Sequence, residues 1–86
     1  MEKQEIRKNI IEALETVGVL VDGSEEDVCL LDYDIESITF IAFIVELENR
    51  FCVQIPDKYF NMDLLLSLVS LCNLMELLVS EKNISW

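Results

Sequence analysis

Glu36-Ser37-Ile38-Thr39-Phe40-Ile41-Ala42-Phe43-Ile44-Val45-Glu46-Leu47-Glu48-Asn49-Arg50-Phe51 is the stretch that decides how this chain folds. Its β-branched and aromatic residues suit a strand. The run is about fifteen residues long, however, and does not alternate strictly between apolar and polar. Ile38, Ile41, Ile44, Leu47 and Phe51, together with Phe40, Phe43 and Val45, recur at helical intervals. Strands average five to six residues, so length and period together predict a helix from Ser37 to Phe51.

Towards the N-terminus, Ile6, Ile10, Ile11, Leu14 and Val17 form one apolar stripe, with charged residues elsewhere. The spacing predicts an amphipathic helix over Glu2 to Val17, ended by Gly18 in a left-handed conformation. Gly18 to Tyr33 mixes turn residues, Asp22-Gly23-Ser24 and Glu25-Glu26-Asp27, with Val19, Leu20, Val21, Val28, Leu30 and Leu31. A connection of that length is expected to be functional, with its apolar residues pinned to the core.

Towards the C-terminus, Pro56 and Asp57 mark a new start, because proline suits the first turn of a helix. At most a short helix fits between Pro56 and Asp63. Leu64 to Val79 is nearly continuous in apolar residues but too short to span a bilayer, and Ser67, Ser70, Asn73 and Glu76 draw a polar stripe along it. It is predicted as a bundle helix from Ser67 to Val79, N-capped by the Ser67 hydroxyl. Residues 81–86 are expected to be a flexible tail to a single domain over 1–80. The fold class is therefore all-α: a small four-helix bundle of three main helices and one short one, with a long first loop. Its expected core is Ile6, Ile10, Leu14, Ile38, Phe43, Leu47, Phe51, Ile55, Leu68, Leu71 and Met75.

Composition narrows function. At 86 residues with 52% apolar content, one core can form without metal or disulfide staples, and little chain remains for separate binding and catalytic layers. Seventeen acidic against six basic side chains give a net charge of −11. That charge repels nucleic acid and favours partners with basic patches. Cys29, Cys52 and Cys72 form no Cys-x-x-Cys pair and are read as small buried apolar residues in a reducing compartment. With no basic n-region or apolar h-region at its start, the chain is expected to lack a secretory signal. A cytoplasmic monomer without a membrane span is expected.

The chain holds no histidine, and neither a lysine nor a cysteine lies near Ser37 in sequence, so nucleophilic catalysis lacks an evident general base. Cys52 and Cys72 sit in apolar surroundings that raise a thiol pKa. Asp32, Asp34 and Glu36 alternate like the opening of an EF-hand loop. The sixth position from Asp32 is nevertheless Ser37 instead of glycine, and the twelfth is Phe43 instead of glutamate, which excludes that calcium site.

What remains is Ser37 itself, a hydroxyl fenced by carboxylates at the start of a helix. Glu36-Ser37-Ile38 corresponds to the Asp-Ser-Leu element of acyl and peptidyl carrier proteins. Leu47, Glu48 and Phe51, then Ile55-Pro56-Asp57, then Ser67-Leu68-x-x-Leu71 follow in that family's order. From about Glu5 to Leu78 the chain resembles this family. The resemblance implies that Ser37 accepts a phosphopantetheine arm from coenzyme A, transferred by a separate magnesium-dependent phosphopantetheinyl transferase. The arm's thiol would carry an acyl, aminoacyl or peptidyl group as a thioester, and the chain would be a substrate of its partners, not an enzyme.

By the same resemblance, Glu36, Ile38, Phe40, Ile41, Val45 and Glu48 are the partner-recognition residues. They would meet the transferase, and loading enzymes and synthases with basic or mixed apolar docking surfaces. Glu36 takes the family's aspartate position, Ile38 its leucine position, and Asp34 stands where the family often has glycine. The second helix lacks the run of outward acids usual in fatty-acid carriers, keeping only Glu46 and Glu48. Phe40 either anchors an apolar partner or packs under the first loop. The spacing from Pro56 to Ser67 is more like carriers of polyketide and nonribosomal peptide synthetases, which points to specialised biosynthesis. The alternative is a small acidic helical interaction module that carries nothing.

Overall fold

Three α-helices and three 3-10 helices account for the regular structure of the computed structural model, which describes residues 2–21 and 26–84. Helix α1 spans Lys3–Thr16, α2 Ser37–Phe51 and α3 Leu68–Ile84; the 3-10 helices are Leu30–Tyr33, Asp57–Tyr59 and Met62–Leu65. No strand occurs among the described residues. The expected four-helix count is not confirmed: where one short helix was expected between Pro56 and Asp63, that segment holds the 3-10 helix Asp57–Tyr59 and the start of a second, Met62–Leu65. Asn61 divides them, since its backbone is extended and its side chain accepts from the Asp63 N–H at 2.9 Å to start a fresh turn.

Helix α1 ends as its sequence predicts. Gly18 has φ +92°, its N–H donates to the Glu15 carbonyl at 3.0 Å, and the Val19 N–H reaches back to Leu14 at 2.8 Å. That pair of bonds satisfies carbonyls left over at the helix end, and buried Val19 packs with the core that holds Leu14. Helix α2 ends in the same way without a glycine: Cys52 holds φ +53°, and the Val53 N–H reaches the Glu48 carbonyl at 3.2 Å.

Helix α1 packs against both α2 and α3, burying Ile6, Ile10, Ala13 and Leu14. Facing them in the core are Phe40, Phe43, Ile44, Leu47 and Phe51 of α2, with Leu68, Leu71, Cys72, Met75 and Leu78 of α3. Arg50 ties α2 to α1 at the edge of this core. Its guanidinium reaches Glu46 at 2.8 Å, Glu12 at 3.2 Å and the Thr16 hydroxyl at 3.2 Å.

Ten of the eleven expected core residues are buried, and Ile38 is the exception at 83% exposed. A helix can turn only one face inward, and α2 carries more apolar residues than that face holds. Phe40 takes the buried position, at 4% exposed, so it is no exposed partner anchor.

The first loop is pinned as expected by buried Val19 and Leu30 and half-buried Val21, Val28 and Leu31, although Leu20 points outward. Asp22, Gly23, Ser24 and Glu25 lie outside the described residues. The loop's far end is held by side chains remote in sequence. Asp27 accepts from the Ser67 hydroxyl at 2.9 and 3.0 Å and from the Val69 N–H at 3.0 Å. The Leu68 N–H donates to Val28 at 2.9 Å, and Arg7 donates to the Glu26 carbonyl at 2.9 Å.

Helix α3 continues past Val79 to Ile84, through four positions expected in the flexible tail, while Ser85 and Trp86 lie outside the described residues. No described helix is long and apolar enough to cross a membrane. The cysteines differ from one another: only Cys72 is buried, Cys29 is half-buried, and Cys52 is exposed because it occupies the left-handed turn after α2.

Candidate functional site

Ser37 is placed by the chain that precedes it. The Leu30–Tyr33 3-10 helix stops at Asp34, whose backbone turns left-handed at φ +54°. The reversal drops Ile35 into the core at 7% exposed and leaves Glu36 extended at φ −78°, ψ 164°. From there the Glu36 carbonyl accepts the Phe40 N–H at 2.8 Å, the first bond of α2. Ser37 is thus the first helical residue, one position past the cap, and it is exposed.

Two serines stand at helix starts, and the structure uses them differently. Ser67 is a cap: its hydroxyl accepts the Ser70 N–H at 3.1 Å while donating to Asp27. That double role satisfies a helix-terminal donor. Around Asp27 these bonds hold the carboxyl below its ordinary value of 3.8, the Val69 N–H contributing most and the Ser67 hydroxyl next. At α2 neither the Glu36 side chain nor the Ser37 hydroxyl caps anything, and no bond engages that hydroxyl among the described residues. A hydroxyl that is exposed, anchored by a helix and committed to no internal partner is free to be the acceptor in a group transfer.

The residues expected around Ser37 divide into two sets. Glu36, Ile38, Ile41 and Val45 are exposed on α2 or at its entry. Phe40 is in the core. Glu48 is half-buried, and its carboxylate accepts the Ile55 N–H at 2.9 Å. It therefore secures the exit from α2, the role its place before Ile55-Pro56-Asp57 serves. Glu46 is likewise turned inward, to Arg50. Ala42, at a forward position of this helix, and Asn49, which sequence reasoning passed over, share the exposed face. Ala42 lies four residues after Ile38, a spacing that places both on one side of a helix.

No protein-family model, curated protein or solved structure matches the chain.

Proposed function

We propose that this chain is a carrier that holds acyl, aminoacyl or peptidyl intermediates as thioesters on a phosphopantetheine arm attached to Ser37. The observation that carries the proposal is the contrast between Ser67, consumed as a cap, and Ser37, exposed at the first turn of α2 with no bond to its hydroxyl among the described residues. Left-handed Asp34, three residues before Ser37, adds to it. The carrier family often has glycine there, and a positive φ is the backbone demand that glycine meets.

In the transfer, Ser37 Oγ bonds to the phosphorus that bears the pantetheine arm of coenzyme A. The pyrophosphate P–O bond breaks, adenosine bisphosphate leaves, and the hydroxyl proton passes to a base of the transferase. The attached group supplies a terminal thiol that exchanges acyl groups. The chain's own part is to fix the direction of Ser37 by the Asp34 turn and the first bond of α2, and to keep its hydroxyl clear of internal acceptors. Glu36, exposed beside it, offers a negative charge for a basic group of the transferase. Polyketide, nonribosomal peptide or specialised fatty-acid synthesis supplies the cargo, and loading enzymes and synthases are the further partners.

The test is to incubate the chain with coenzyme A, magnesium and a broad-specificity phosphopantetheinyl transferase and to record the intact mass. A gain of one phosphopantetheine that is lost in Ser37→Ala supports the proposal. No gain, or a gain retained in Ser37→Ala, rejects it and leaves an acidic interaction module.

A further inference from the structure

Glu26, Asp27 and Val28, consecutive in the first loop, each hydrogen-bond to another element. The Glu26 carbonyl accepts from Arg7 of α1 at 2.9 Å, and the Val28 carbonyl accepts the Leu68 N–H at 2.9 Å. Between them the Asp27 carboxylate accepts from the Ser67 hydroxyl at 2.9 and 3.0 Å and from the Val69 N–H at 3.0 Å. Its Oδ1 also accepts the Val28 N–H at 2.9 Å, which fixes the turn from which it reaches α3. Bonds to an ionised acceptor are the stronger kind. Residues 29–36 lead from this clasp to Ser37. They are held by burial of Leu30 and Ile35 and by bonds within their own turn, Asp32 N–H to Cys29 at 3.2 Å and Asp34 N–H to Leu31 at 3.4 Å. At the end of that path α2 starts without a side-chain cap. The first N–H groups of a helix lack partners within it, so an uncapped start opens locally unless the chain before it is held. The bond from the Phe40 N–H to the Glu36 carbonyl, 2.8 Å, closes the turn that carries Ser37.

We infer that Asp27 and Ser67 are positioning residues for the transfer to Ser37: their tie holds residues 29–36 so that the first turn of α2 stays closed and presents the Ser37 hydroxyl in one direction. The inference rests on the carrier role of Ser37 and adds a remote control point to that site. Neither residue touches the transferred group. With the tie broken, burial of Leu30 and Ile35 still favours the native path, but the segment gains freedom and the closed turn becomes one of several states. A transferase that accepts only the closed turn then meets a reduced fraction of competent chain, and its apparent affinity falls by that fraction. Once the chain is bound the turn is closed, and the chemical step is unaltered. The loss therefore falls on KM for the chain and not on kcat.

The test compares Asp27→Ala and Ser67→Ala with Ser67→Thr, which keeps the hydroxyl, and with Ile10→Val, which loosens the core and leaves the tie intact. Far-UV circular dichroism at the assay temperature confirms that each variant is folded. With coenzyme A, magnesium and a broad-specificity transferase, each alanine variant is expected to raise KM for the chain by about fivefold or more, with kcat within about twofold of wild type. The double alanine variant should go no further than the larger single, because both act through one tie. Ser67→Thr and Ile10→Val should stay near wild type. In the free chain, amide exchange followed by NMR should be faster at Phe40 in both alanine variants and unchanged in Ile10→Val, since an amide at a helix start exchanges through local opening. An unmoved KM, with wild-type chain still modified, overturns the positioning role alone. So does a raised KM with Phe40 exchange unchanged, which would mean that the transferase touches Asp27 or Ser67 itself. Failure of the wild-type chain to gain mass removes the carrier role and the positioning role with it.

Discussion

Asp34 is the residue on which the geometry of the Ser37 junction turns, and substituting it separates conformation from charge. Its φ of +54° is a conformation that costs an ordinary L-residue about 1–2 kcal/mol, less for aspartate and asparagine, and nothing steric for glycine. Asp34→Asn keeps that tolerance and removes the charge, so stability should stay within about 0.5 kcal/mol of wild type. Asp34→Val adds a β-branched side chain at positive φ and should cost about 1–2 kcal/mol. Asp34→Gly relieves the strain and should gain about 0.5–1 kcal/mol, part of the relief being offset by glycine's greater freedom when unfolded. A domain of this size shifts its midpoint by about 4–8 °C per kcal/mol. Thermal unfolding followed by far-UV circular dichroism at pH 7 should therefore place Gly above Asp and Asn, with Val below by about 4–16 °C. Because Ile35 is buried immediately after the turn, Asp34→Val should also slow modification of Ser37. Equal midpoints for Val and Asn would mean that residue 34 is not left-handed, and the account of how Ser37 is aimed would fall.

Three further outcomes follow from the packing and the charges. Phe43→Ala should cost about 3–5 kcal/mol and leave the chain largely unfolded, whereas Ile38→Ala should change stability by less than about 0.5 kcal/mol; urea titration distinguishes them. Burial pushes the Cys72 thiol up from its ordinary value, so iodoacetamide at pH 8 should alkylate exposed Cys52 first and Cys72 only on unfolding, read by peptide mass. Asp27 is held below 3.8 when folded, so its contribution is complete above the unfolded aspartate value and fades as pH falls below it. Asp27→Asn should accordingly be less stable than wild type at pH 7, with the gap narrowing at pH 3; a gap that stays constant with pH would detach Asp27 from the loop tie.

Much of this architecture could be read in the chain because it is written locally. Helix α2 starts and stops where its apolar period does, and Gly18 ends α1 through the one property glycine supplies. Periodicity identified the helices but not which apolar residues of an over-rich helix turn inward: Ile38, expected in the core, lies outside it, and Phe40, for which both places were open, lies within. The split of the Pro56–Asp63 region hangs on one Asn61 side-chain bond, and the left-handed Cys52 has no compositional mark. The Asp27–Ser67 tie joins residues forty apart in sequence, beyond any local pattern. Ser37 was singled out by its resemblance to a motif, and what the structure added is that no bond engages its hydroxyl among the described residues and that the acids of α2 are engaged internally.

Fragment mass spectrometry of the chain after treatment with coenzyme A, magnesium and transferase bears most directly on the central claim, because it assigns the added group to a residue. The account predicts phosphopantetheine on Ser37 alone, with Ser67 and Ser70 unmodified. The group found on another serine, or on none, would contradict it.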